Sequence, residues 1–199
     1  MSRLPILTTN DRNPEQQRLF ESITGGARSS VPRKSKMADD EGRLTGPFNA
    51  MLYAPAIGDA AQKLGSQLRF ESTLPGMLRE AAILTVAQFW RANYEWVAHA
   101  RIARAEGLGD EAIEEILAGN PPSRNDELAA VYSFVSELLQ TRRVGDETYA
   151  QALNVLGDEG VVELVTLTGY YCLISANLNT FEVGVPGGET PPFGDEKSE

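Results

Sequence analysis

A single histidine, His99, stands within the stretch PGMLREAAILTVAQFWRANYEWVAHARIARAEG, from Pro75 to Gly107. Glu95 precedes it by one helical turn, and Glu80 lies on the apolar run before that. Side chains four apart on a helix share a face, with Cβ atoms ~5–6 Å apart, so Glu95 and His99 are neighbours. Ile102, Ala103 and Gly107 continue the same face. An imidazole titrates near neutral pH, and two carboxylates beside it give a group that can take up and hand over protons. Charges on an apolar stripe need partners, because burying an unpaired charge is unfavourable. A satisfied core histidine with a plain i,i+4 glutamate has the same spacing, so periodicity is common to the catalytic and the structural readings.

The protonation of the two glutamates depends on opposed effects. Glu80 sits among Ala81, Ile83 and Leu84, where desolvation raises its pKa while an imidazolium or Arg79 lowers it. Glu95 falls in the first turn of its helix if Ala92 or Asn93 is the cap, and the helix dipole favours a carboxylate there by only ~0.3–1 kcal/mol. One histidine and two glutamates could supply three metal ligands, but neither HxH nor HExxH spacing is present, so no metal site is expected. The one cysteine, Cys172, excludes an intrachain disulfide and a CxxC redox pair, and nothing near it in sequence would stabilise a thiolate.

The elements that must position these residues read as helices. Pro14 opens a short helix ended by Gly25 and Gly26. The polar, charge-rich stretch 27–43 is expected to be a mobile loop, with order resuming at TGPFNAMLYAP. A helix from about Ala56 to Glu71 places Ile57, Ala61, Leu64 and Leu68 inward, and the two organising helices follow. Asp110 is expected to cap DEAIEEILAG. Pro121-Pro122-Ser123 opens a helix through about Arg142, with Leu128, Val131, Phe134, Val135 and Leu138 inward. Asp146 begins a helix broken at Gly157, and a last one runs from Asp158 through VVELVTLTGYYCLISANLNTFEV. The tail GVPGGETPPFGDEKSE is too rich in Gly, Pro and charge to pack. No period-2 strand pattern lies between turn signals, so the fold class is all-α.

At 199 residues the chain is long enough for one domain with tails, and its 42% hydrophobic and 23% charged content is ordinary for a globular protein. A net charge of −10 argues against nucleic-acid binding. The basic cluster from Arg28 to Lys36 is followed at once by Asp39, Asp40 and Glu41, as in a solvated loop. The N-terminus lacks the apolar core of a signal peptide, and Leu164–Leu178 carries Thr166, Thr168, Ser175 and Asn177 within less than the ~20 apolar residues of a membrane span. No membrane partner and a cytoplasmic location are therefore expected.

The phrase RE-x-A-x-L-x-V, then YEWVAH, then A-x-x-x-GL-x-x-E-A-I resembles the carboxymuconolactone decarboxylase family, whose superfamily includes the alkylhydroperoxidase-D-like (AhpD-like) proteins. Arg79, Glu80, Tyr94 to Trp96, His99, Gly107 and Leu108 match in type and spacing, and the stretch Glu163–Pro186 is similar to the family's closing helix. The resemblance divides the chain into an arm, short helix and loop (1–44), a helical domain (45–186) and a flexible tail (187–199). It implies an AhpD-like helical bundle with an N-terminal helical extension, assembled as a homo-oligomer (dimer, trimer or hexamer) with the site near a subunit interface. Peroxidase members carry CxxCxxxH, whose cysteine positions here hold Ala92 and Glu95, so thiol-dependent peroxide reduction is not expected.

The glutamate-and-histidine version instead resembles the decarboxylase branch, which uses no cofactor. That implies an acid/base decarboxylase, lyase or isomerase acting on a small carboxylated or lactone-type molecule. His99 would be the general acid/base, assisted by Glu95 and Glu80. Arg79 would hold a substrate carboxylate, and Tyr94 and Trp96 would wall the pocket. The alternatives are a non-enzymatic helical oligomer that binds a ligand or partner, and a peroxidase-like oxidoreductase.

Overall fold

The computed structural model describes residues 2–25, 37–185 and 189–194; the basic cluster Arg28–Lys36 lies outside them. The described residues contain eight helices and no strands: α1 (Pro14–Gly25), α2 (Phe48–Leu52), α3 (Pro55–Phe70), α4 (Gly76–Phe89), α5 (Asn93–Ala105), α6 (Asp110–Leu117), α7 (Asp126–Thr141) and α8 (Asp146–Thr180). The all-α expectation holds.

Helix α4 is the axis of the bundle. Ala81, Ala82, Ile83, Leu84, Val86 and Ala87 are all buried, so over this stretch the helix is enclosed on every side, with Glu80 and Thr85 the polar groups buried on it. It packs against α5, α6, α7 and α8. Leu128, Val131, Phe134 and Val135 of α7 and Leu164, Leu167, Tyr171 and Ile174 of α8 close the core around it. By length and composition α8 could cross a membrane, but half of its most apolar window is buried inside the molecule. The expected break at Gly157 is present: its φ of 68° and ψ of 177° are not helical, and the two arms of α8 meet there at a kink.

Four expectations are corrected. Helix α3 does not turn Ile57 and Leu64 inward: Ile57 is 73% exposed, and Gly58, Gln62, Gly65 and Leu68 are the buried positions. Close approach explains this. A Cβ at Gly58 would meet the Met51 carbonyl and Leu19, and one at Gly65 would meet the Tyr170 hydroxyl, so at these two positions only glycine fits. Asp110 is the first residue of α6 rather than its cap, and it pairs with Arg104 Nε at 2.6 Å. Helix α7 starts at Asp126, after the Pro-Pro-Ser segment, because Asn125 Oδ1 accepts the Leu128 N–H at 3.0 Å and forms the N-cap.

The fourth correction concerns the tail, of which 189–194 dock on the α4–α5 corner. The Phe193 N–H donates to Asn93 Oδ1 (2.9 Å), and Asn93 Nδ2 donates to the Gly194 carbonyl (3.0 Å). Arg91 donates to the Phe193 carbonyl (2.7 Å), and the Phe193 ring meets Trp96 edge-on at 5.6 Å. Glu189 pairs with Arg101. A few aromatic and amide contacts thus hold a segment whose composition alone suggests no packing.

Of the stretch 27–43 expected to be a mobile loop, the part from Met37 onward is described, and it packs against the bundle. Met37 and Leu44 are buried, and Ala38 bridges Leu44. The N-terminal arm is anchored as well: the Arg3 N–H donates to the Phe181 carbonyl at 2.9 Å, and the Leu7 N–H to Asn49 Oδ1 at 3.0 Å.

Candidate active site

The corner between α4 and α5 brings the acid–base residues together. Helix α4 closes with the Ala92 N–H donating to the Ala87 carbonyl at 2.9 Å, and Arg91 takes a left-handed φ of 50° to reverse the chain. Ala92 then caps α5, and Glu95 falls in its first turn. The reversal lays the Glu95–His99 face of α5 against the Glu80 position of α4.

His99 is held from both sides. Its Nδ1 donates to Glu80 Oε2 at 2.6 Å, and its Nε2 donates to Glu95 Oε1 at 3.0 Å. Glu80 is fully enclosed, while Glu95 and His99 keep only 4% and 5% of their surface exposed. Burial works against the imidazolium, but the charges of Glu80 and Glu95 and their hydrogen bonds outweigh it and raise the His99 pKa to about 9. Burial likewise opposes ionisation of Glu80, and is overcome by the charge and hydrogen bond of His99, then by Arg69 and Arg79, so its pKa lies below the usual carboxylate value. At neutral pH His99 is an imidazolium held against the Glu80 carboxylate.

The second oxygen of Glu80 is poised differently. Oε1 is buried and accepts no hydrogen bond among the described residues, and neither does the buried Arg79 Nε donate one; the two lie 3.7 Å apart. Arg79 also approaches Glu106 at 3.8 Å, which places it between two carboxylates. Tyr171 of α8 covers the imidazole, its ring edge-on at 5.2 Å, and burial raises its pKa well above the ordinary phenol value.

Of the residues expected from sequence, Glu80, Glu95 and His99 come together and Arg79 adjoins them. Tyr94 lies over Gly46, whose φ of 64° and bare Cα leave room for the ring, and Trp96 lies against Phe193. Both belong to the packing of the α5 flanks. Sequence reasoning misses Tyr171 and Arg69. Tyr171 sits in an apolar run that reads as pure core, and Arg69 reads as an ordinary cation in the last turn of α3.

Among the described residues no cluster of three or more His, Cys, Asp or Glu is arranged to hold a metal ion. Cys172 is half-buried, and burial pushes its thiol up in pKa, away from thiolate chemistry. A cleft of about 520 Å³ between α7 and α8, lined by residues including Asp126, Ser133, Gln151 and Asn154, shares no residue with the His99 centre.

The model of the carboxymuconolactone decarboxylase family matches residues 55–144, a span that contains the α4–α5 corner. This stretch of the chain is similar to that family, and the match spans a little under half of the 199 residues. No curated protein matches the sequence. Among solved structures, an alkylhydroperoxidase AhpD core described as an uncharacterized peroxidase-related protein from Ralstonia eutropha JMP134 superposes with a TM-score of 0.73 at 14% identity, over 94% of this chain and 93% of that one. An uncharacterized peroxidase-related protein from Silicibacter sp. TM1040 gives 0.68 at 14% identity, over 92% and 91%. A cysteine-to-alanine variant of the debrominase Bmp8 in complex with 2,3,4-tribromopyrrole gives 0.69 at 14% identity, over 96% of both chains. At such identity these likenesses establish the AhpD-like helical fold. They also extend it past the family match, to α8 and Tyr171.

Proposed function

We propose that the chain is an acid–base enzyme of the decarboxylase type, acting without a cofactor on a small carboxylated or lactone-type substrate. The observation that carries this reading is the linear array Glu80–His99–Glu95, with both imidazole nitrogens bonded to carboxylates. The family match supports an enzyme-like role.

The chemistry follows from the charges. With a pKa of about 9 the imidazole is already protonated at neutral pH, so His99 acts as a proton donor rather than the initial base. Loss of CO₂ breaks a carbon–carbon bond and leaves its electron pair in the conjugated carbonyl system of the lactone. The pair is quenched when a proton arrives at carbon. Glu95, at the first turn of α5, is the carboxylate through which His99 passes that proton outward, and solvent restores it. Glu80 fixes the imidazole orientation from the enclosed side and keeps it charged.

Two other chemistries fit less well. Peroxide reduction of the dithiol type needs a cysteine pair, and Ala92 and Glu95 stand at those positions. A purely binding or structural role is favoured by one observation, the near-complete enclosure of all three residues. Assembly into a homo-oligomer is part of the proposal, supported by the apolar side chains of Val162, Val165 and Leu173 left exposed on α8.

The deciding experiment follows CO₂ release and lactone absorbance with carboxymuconolactone, for wild type and His99→Gln, with light scattering on both. A wild-type rate that disappears in an intact His99→Gln assembly supports the decarboxylase. Absence of wild-type turnover, with a variant that instead changes stability or assembly, moves the centre to a structural role.

A further inference from the structure

Arg69 lies in the last turn of α3, one turn beyond Gly65. Gly65 is the residue on which the Tyr170 hydroxyl rests, so positions 65 and 69 share the α3 face turned toward α8. Tyr170 meets Tyr171 edge-on at 5.3 Å, and Tyr171 meets His99 at 5.2 Å. A continuous run of rings therefore leads from Gly65 of α3 to the imidazole. The positive charge of Arg69 acts on both Glu80 and Tyr171.

The pairing of charges around this run is uneven. Glu80 and Glu95 are taken by His99, and Arg79 stands between Glu80 and Glu106. Arg69 is half-buried, and among the described residues no carboxylate lies within 4.0 Å of it; its guanidinium lies 5.4 Å from the ring of its own neighbour Phe70. A guanidinium next to an ionised network, without a carboxylate of its own, is suited to receive one from a ligand, since its planar fork matches a carboxylate bidentately.

We infer that Arg69, rather than Arg79, is the residue that recognises the substrate carboxylate, directing the unsaturated body of the molecule along Tyr171 toward His99 and Glu95. The ligand class is a small planar carboxylate. The inference rests on the acid–base reading of the centre, but its test needs no turnover and so fails independently of it.

The chain has one histidine, so a single imidazole signal in ¹H–¹⁵N NMR reports on the centre. Benzoate is titrated into full-length wild type, Arg69→Gln, Arg69→Lys and Arg79→Gln, with thermal melts on each. Saturable benzoate-dependent shifts of the His99 signal are expected in wild type. Affinity falls about tenfold or more in Arg69→Gln, partly recovers in Arg69→Lys, and stays within about threefold of wild type in Arg79→Gln. Should Arg69→Gln fail to fold, weaker binding by a folded Arg69→Lys supports the inference in its place. Wild-type signals unmoved by benzoate, or affinity unchanged in the folded Arg69 variants, overturns the inference.

Discussion

Two regions of this bundle distribute polarity in opposite ways. At the α4–α5 corner two carboxylates and an imidazole are enclosed at 0–5% exposure. Along α3 and α8, Ile57, Leu64, Val162, Val165 and Leu173 stand in water. The corner holds charge inside because each charge has a partner, whereas α3 packs closely through Gly58 and Gly65 and turns Ile57 and Leu64 outward. Burial here follows from available partners and space, and hydropathy alone ranks neither region correctly.

The contrast breaks first if the corner tolerates loss of a partner. Glu80→Ala leaves a buried imidazolium half-paired and should lower stability by about 3–5 kcal/mol in urea unfolding. A loss under about 1 kcal/mol would mean that the charges are not enclosed as described.

The pH dependence sharpens the same point. The folded-state His99 pKa is raised from 6.5 to about 9, so its contribution is fully present below pH 6.5 and is lost as pH rises through about 9. Wild type should lose about 3 kcal/mol at most over that window, and His99→Gln should lack this slope in denaturant unfolding at a series of pH values. Glu80, held below its ordinary value, acts at the other end: its contribution is present above pH 4.5 and lost as pH falls further.

On the α3–α8 side, Gly65→Ala pushes a methyl group into the Tyr170 hydroxyl and should cost about 1–3 kcal/mol, read as a lower melting temperature. An unchanged melt would place the two helices further apart than described. The smallest effect belongs to Ile57→Ser, expected within about 0.5 kcal/mol of wild type in the same unfolding assay. A loss above about 1 kcal/mol would show that Ile57 is covered in the assembled protein.

Helical periodicity is a good guide where a helix packs large side chains against a conventional core. Leu128, Val131, Phe134 and Val135 of α7 are legible for that reason, as is the glycine break at Gly157. It fails on α3, where the inward positions are Gly58, Gln62 and Gly65 and the larger side chains are turned out. The Glu95–His99 pair is legible because four-residue spacing is local. That Glu80 reaches the opposite ring nitrogen depends on the left-handed Arg91 and the angle of the corner, which no spacing rule contains. Tyr171 and Arg69 come from helices distant in the chain, so only the packed bundle reveals them. The tail departs from its expectation because three hydrogen bonds and one ring contact outweigh a composition that otherwise disfavours order.

The clasp of Phe193 between Arg91 and Asn93 also has a mechanical meaning. Tension applied to the chain beyond Gly194 reaches the α4–α5 corner before it reaches the C-terminal end of α8, because the hydrogen bonds at Arg91 and Asn93 stand first in the line of force. The N-terminal arm, tied to Phe181, loads the end of α8 instead. Pulling on the two ends would therefore strain different parts of the bundle. The rupture of the C-terminal clasp would be felt by the helix that carries Glu95 and His99.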